Sequence, residues 1–176
     1  MNILQWIQAK RPSNQVIKGM QYTLWGMALM AITATCTAPF YSFAINMDHS
    51  LPGHVFLIHK GEYPKKGELV AFEFQGYEPW FPKGTIFVKK LSGTAGDVVT
   101  ATNHQGCVSY QVNDTVIGCA RPKTHDGHIL VPGPVGRVPE GRIVVRGTSY
   151  DSFDSRYAGV GWIRHEQVIG HAYRIF

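Results

Sequence analysis

From Gly19 to Met47 no side chain carries a charge, and the stretch "YTLWGMALMAITATCTAPF" within it is apolar or small throughout. A helix of that length reaches across a bilayer core of roughly 30 Å, so the pattern predicts a transmembrane anchor. Past residue 50 the pattern changes. Short runs rich in Val, Ile, Phe and Tyr follow one another as "HVFLIH", "ELVAFEF", "TIFVKKL", "DVVTAT", "HILVPG", "RIVVRG" and "VIGHAYRIF", with Gly, Pro and Asn between them. Runs of this kind read as β-strands, and helical periodicity is missing from this part. The expectation is a mainly β protein, rich in antiparallel pairing, whose strands close wholly or partly into a barrel. Three regions result: an N-terminal segment 1–18, an anchor 19–45 and a β domain 46–176.

Charge adds an orientation. Lys10, Arg11 and Lys18 precede the apolar run and Asp48 follows it, which by the positive-inside tendency places residues 1–18 in the cytoplasm and the β domain outside. The run is long for a cleaved leader, and Pro39 follows the small residues where a cut would fall, so a retained single-pass anchor in the cytoplasmic membrane is favoured. A lipid-modified Cys36 is disfavoured, because Thr33 and Thr35 do not form the usual small-residue box. The chain of 176 residues has a net charge of +5, but beyond those three bases 14 basic side chains face 12 acidic ones. No basic stripe remains for a phosphate backbone, so nucleic acid is not an expected partner. Cys107 and Cys119 flank a stretch in which Asn113-Asp114 reads as a hairpin turn; outside the cytoplasm they would pair, for roughly 3 kcal/mol. The loop "FQGYEPWFPKG" carries Tyr77, Trp80 and Phe81, which either pack locally or rest at a lipid interface.

Several chemistries are excluded by spacing. The His54/His59 and His125/His128 pairs lack accompanying Cys or acidic ligands in a recognisable order, and "SGTAGD" is not a nucleotide-binding glycine pattern, so neither a metal nor an organic cofactor is expected. Asp48, His49 and Ser50 hold the residue types of a serine triad, but adjacent residues point in different directions and cannot form its hydrogen-bonded chain. A serine is also activated by a desolvated lysine within hydrogen-bond reach. Lys89 and Lys90 are the candidates, and since alternate strand residues face opposite ways, periodicity does not choose between them.

Four segments, in order, resemble the type I signal peptidase family of Ser-Lys membrane endopeptidases. "SLPG" is similar to its nucleophile segment, "KKGELVAFEF" to its Gly-Asp-x-Val-x-Phe strand with Glu68 for Asp, and "FVKKLSGTAGDVV" to its lysine segment. "GTSYDSFDSRYAGVGWIRHEQVIGHA" is similar to its closing segment, with the core Ser152, Phe153, Asp154, Ser155 and Arg156. The small size, single anchor and Ser-x-Pro segment look closest to the TraF-like branch, the peptidases of conjugative transfer systems that mature pilin precursors. The resemblance implies a signal-peptidase-like β domain with Ser50 as nucleophile and Lys89 as base. It further implies Ser152 orienting the lysine, an Asp154–Arg156 pair holding the closing segment, and an oxyanion held by the Ser50 backbone N–H.

Where many family members carry Ser or Gly two residues before the nucleophile, this chain has Asp48. A carboxylate cannot donate to an oxyanion, so either Asp48 turns away or the local register differs. The implied partners are an exported preprotein or prepilin, the lipid bilayer and the conjugative transfer apparatus. Two other readings share the sequence: a non-catalytic anchored assembly factor of a pilus or secretion complex, and a peptidase whose acyl-enzyme is resolved by an amine, which cyclises the pilin.

Overall fold

Among the residues that the computed structural model describes, 13–46, 50–104 and 106–176, the first element is helix α1 (Asn14–Thr37). The Ser13 hydroxyl caps it by accepting from Val16 N, and Pro39, which has no N–H to donate, follows its end. Four threonines bend their hydroxyls back onto carbonyls of the preceding turn, Thr33 onto Leu29 and Thr35 onto Ala31 at 2.9 and 2.8 Å. This helix corrects the expected anchor: among the described residues no helix is long and apolar enough to cross a membrane. The reason is that lack of charge is not apolarity. Asn14, Gln15, Lys18 and Gln21 occupy the first half of α1, and Gly26, Thr33, Thr35 and Thr37 interrupt the second. The helix also stops at Thr37, and residues 41–45, expected inside the anchor, form a strand.

From Phe40 onward the chain is a separate β unit. Its strands are β1 (Tyr41–Ile45), β2 (Val55–Lys60), β3 (Leu69–Glu73), β4 (Ile86–Gly93), β5 (Val98–His104), β6 (Cys107–Val112), β7 (Thr115–Ala120), β8 (Gly136–Arg137), β9 (Arg142–Arg146), β10 (Ile163–Arg164) and β11 (Val168–Arg174). Seven of them make one sheet in the order β1-β2-β11-β3-β4-β9-β10, and four make a second, β7-β6-β5-β8. Every named pairing is antiparallel. The mainly β reading stands, and the barrel does not. Closure requires the first and last strands of a sheet to pair, whereas β1 and the two-residue β10 are the edges of the larger sheet, and β7 and β8 those of the smaller.

Alternation places apolar residues on both faces of the larger sheet. Val70, Phe72, Phe87, Leu91, Ile143 and Val145 form one core. Ala44, Leu51, Phe56, Ile58, Ala71, Val88 and Ala172 form another, on the opposite side of β3 and β4. The smaller sheet packs Val99, Tyr110, Val112 and Ile117 with Val144 and Tyr157 in a third. At the tip of the β6–β7 hairpin Asn113 and Asp114 both take positive φ, 45° and 65°, as a two-residue turn between twisted strands requires. A disulfide joins Cys107 to Cys119 across that hairpin.

Candidate active site

Ser50 opens the turn between β1 and β2 and is 2% exposed. Its neighbour Leu51 is buried in the core, so the turn is nailed down from within. Asn46 Nδ2 donates to the carbonyls of Leu51 and Gly53 at 3.0 and 3.2 Å. Thr148 N and Ser149 N donate to the Ser50 carbonyl at 2.8 and 3.3 Å. Gly53 has φ +103°, and a Cβ there would lie 2.6 Å from the Phe176 carbonyl. That carbonyl accepts from His54 N at 2.6 Å, so the chain leaves the turn braced against the C-terminal segment.

Lys89 sits in β4 opposite Val70 of β3. It shares a face with Phe87 and Leu91, is 1% exposed, and its Nζ lies 5.4 Å from the Phe87 ring centroid. Lys90, one residue on, takes the other face and is only partly buried. The two lysines that alternation alone left equivalent are thus separated by burial. Lys89 Nζ donates to Ser152 Oγ at 3.1 Å, and Ser152 is itself 3% exposed. Lys89 and Ser50 line one cavity of about 290 Å³, together with Ala44, Phe56, Trp80 and Phe81. Water removed from an ammonium group favours the neutral amine, which is the form able to accept a proton from a serine.

The closing segment is held by the Asp154–Arg156 pair. Arg156 Nε and Nη2 donate to the two Asp154 oxygens at 2.8 Å each, and both residues are fully buried. Burial works against the Arg156 charge, but the hydrogen bond and charge of Asp154 outweigh it and raise the guanidinium above its ordinary value. Arg156 also donates to the Ser152 and Cys119 carbonyls at 3.0 and 3.1 Å. One buried cation therefore ties Ser152 to the disulfide-bearing hairpin. Asp154 accepts in addition from Gly147 N at 2.8 Å, and Ser155 Oγ from Val145 N at 2.9 Å.

Ser50, Lys89 and Ser152 are brought together, with Asp154 and Arg156 behind them. Asp48 lies outside the described residues. Gly147, Thr148 and Asn46 were not singled out from sequence. Gly147 follows β9, and a Cβ there would collide with Ser152 Oγ and come within 2.8 Å of the Ser50 carbonyl; only glycine lets these two segments approach. Its place as the first residue of the closing segment, directly after an apolar strand, was the available signal. Asn46 carried none, because its role depends on a turn that forms five residues later. The loop 74–84 packs locally: Phe74 and Phe87 stack at 4.6 Å, and Phe81 meets Phe87 edge-on at 5.1 Å. Among the described residues no group of three or more His, Cys, Asp or Glu side chains is arranged to hold a metal.

Compared with known families, residues 16–176 match the model described as signal peptidase, peptidase S26. No curated protein matches the chain.

Proposed function

This chain belongs to the signal peptidase family, peptidase S26, and on that premise we propose that it cuts its substrates with a Ser50–Lys89 dyad. Membership makes it a serine peptidase, a hydrolase whose substrates are exported preproteins, in a family that is generally membrane-associated. The observation that carries the dyad is the burial of Ser50 and Lys89 on one cavity, with Lys89 Nζ bonded to Ser152 Oγ.

In this mechanism Ser50 Oγ attacks the scissile carbonyl carbon while the neutral Lys89 amine takes its proton. The bond to Ser152 orients the amine so that its lone pair is presented to Ser50. The oxyanion is held by the Ser50 backbone N–H. Lys89 then returns the proton to the leaving amine, which departs as the C–N bond breaks and leaves an ester on Ser50. Water, deprotonated by Lys89, adds to the ester, and its collapse restores the serine and frees the product carboxylate. The closing segment, fixed by Asp154 and Arg156, keeps Ser152 in place.

We assign the chain to the TraF-like branch, acting on a pilin precursor of a conjugative apparatus. The Ser50-Leu51-Pro52 segment supports this. The Cys107–Cys119 disulfide supports an extracytoplasmic catalytic unit, because such bonds persist in oxidising compartments.

Co-expression of wild type and Ser50→Ala with a tagged pilin precursor, read by precursor and product masses, tests the proposal. Processing by wild type alone is expected. A product lighter than the linear one by a single water indicates that an amine resolves the acyl-enzyme. Equal processing by Ser50→Ala removes Ser50 as nucleophile, and a wild type that cuts a generic signal peptide but spares the pilin removes the TraF-like assignment.

A further inference from the structure

A second cavity, of about 250 Å³, shares Trp80 and Phe81 with the first and is walled otherwise by Tyr77, Phe153, Tyr157 and Leu130. Its rings hold one another: Tyr77 stacks on Trp80 at 5.4 Å, and Phe153 stacks on Phe81 at 5.7 Å and on Tyr157 at 5.6 Å. A wall whose side chains are already fixed loses little freedom when a ligand arrives. Arg121, His125, Asp126 and Asp151 also line the cavity. The Asp151 carboxyl is held below the usual range, chiefly by the Ser149 hydroxyl and in part by Arg121 and His125. The rim thus carries charges of both signs. One polar feature is left over. Arg121 lies over the Tyr150 ring at 4.9 Å, and its Nε–H is buried without an acceptor.

We propose that this cavity is a second substrate subsite, which takes an aromatic side chain of the polypeptide whose scissile bond lies in the first cavity. The inference rests on the Ser50–Lys89 reading, which fixes where the scissile bond lies. Two arguments favour this occupant. The cavities share the Trp80–Phe81 wall, and an extended polypeptide filling one continues over those rings into the other. The second is smaller than pockets for drug-sized ligands, about 300–1,000 Å³, so it suits a single ring rather than a nucleotide or another cofactor. None of the residues that set the preference, Leu130, Phe153, Tyr157 and Arg121, lines the first cavity.

The test uses a peptide spanning the precursor's cut site, with each position set in turn to Ala and to Phe. Its affinity is measured by calorimetry on the full chain carrying Ser50→Ala, so that the readout does not require turnover. At one position Phe should bind about tenfold more tightly than Ala, the scale of a well-filled apolar pocket. Filling the cavity with Leu130→Trp should abolish that preference, bringing the affinities of the Phe and Ala peptides together. His125→Trp, on the exposed loop at the rim, repeats the test should Leu130→Trp fail to fold. A Phe preference that survives the folded filled variants overturns the proposal, as does a scan in which no position prefers Phe. Turnover of the Ala peptides by wild type and Ser50→Ala is followed separately, so an error in the dyad shows as cleavage by Ser50→Ala and not as a lost preference.

Discussion

At the scale of single residues, the site depends on which of two adjacent lysines is dry. Lys89 is buried and bonded to Ser152, whereas Lys90 is only partly buried on the other face. Lys89→Ala should therefore lower kcat by about 10²-fold or more, the scale for removing a general base. Lys90→Ala should keep most activity, and Ser152→Ala should fall between them. Equal losses at Lys89 and Lys90 in a precursor-cleavage assay would remove Lys89 as the base. In the proposed dyad only the neutral Lys89 amine accepts the Ser50 proton, so activity should also rise with pH. A flat kcat/KM profile from mildly acidic to alkaline pH would contradict this. Asp154→Ala would leave the Arg156 cation buried and unpaired, with an expected stability loss of about 3–5 kcal/mol by denaturant melting. The Ser-x-Asp-Ser-Arg core was legible in the sequence, but the Gly147 contact was not, since it joins residues 97 and more positions apart in a way no local pattern encodes.

At the scale of elements, most strands were legible because their apolar runs are short and bounded by turn residues, but "HILVPG" makes only isolated bridges at Ile129 and Pro132, and β1 lies in the run expected to be the anchor. Asn113-Asp114 announced its hairpin for the same reason: these two residue types tolerate the positive φ that the turn demands. Cross-linking that hairpin closes a loop with a sequence separation of 12, so Cys107→Ser should cost about 3 kcal/mol. Cleavage activity should fall with it near the melting temperature, because Arg156 bonds both the Cys119 and Ser152 carbonyls. A melting curve unchanged by the substitution would argue that the hairpin is held without its bridge. The helix was both misplaced and misvalued: the anchor expected over 19–45 is a helix over Asn14–Thr37, and residues 41–45 form a strand. Lys18 lies inside α1, and its glutamines, glycines and threonines keep the helix less apolar than a span needs.

At the scale of the whole molecule, carboxylates stitch distant segments together. Asp97 accepts from Lys66 Nζ, Thr94 N and Asn113 Nδ2 at 2.7, 2.8 and 2.5 Å, joining the turn before β3, the β4–β5 turn and the β6–β7 hairpin. Partial burial opposes its charge, but these bonds prevail and hold it below the ordinary carboxylate range. A group more acidic in the folded chain than in the unfolded one stabilises the fold above its unfolded pKa. That contribution fades as pH drops through the folded value, so melting temperature should fall on acidification below the usual carboxylate range. Asp97→Asn should show a smaller fall, and an identical one would remove Asp97 from the linkage. By itself the sequence determined most of the strands, the hairpin turn and the residue types of the site, because backbone sterics and side-chain alternation act over a few neighbours. Tertiary structure alone decided that β11 enters between β2 and β3, that the sheets stay open, and that Lys89 rather than Lys90 is the buried one. Those outcomes depend on which strands pair across long separations, and water is excluded only once they have paired.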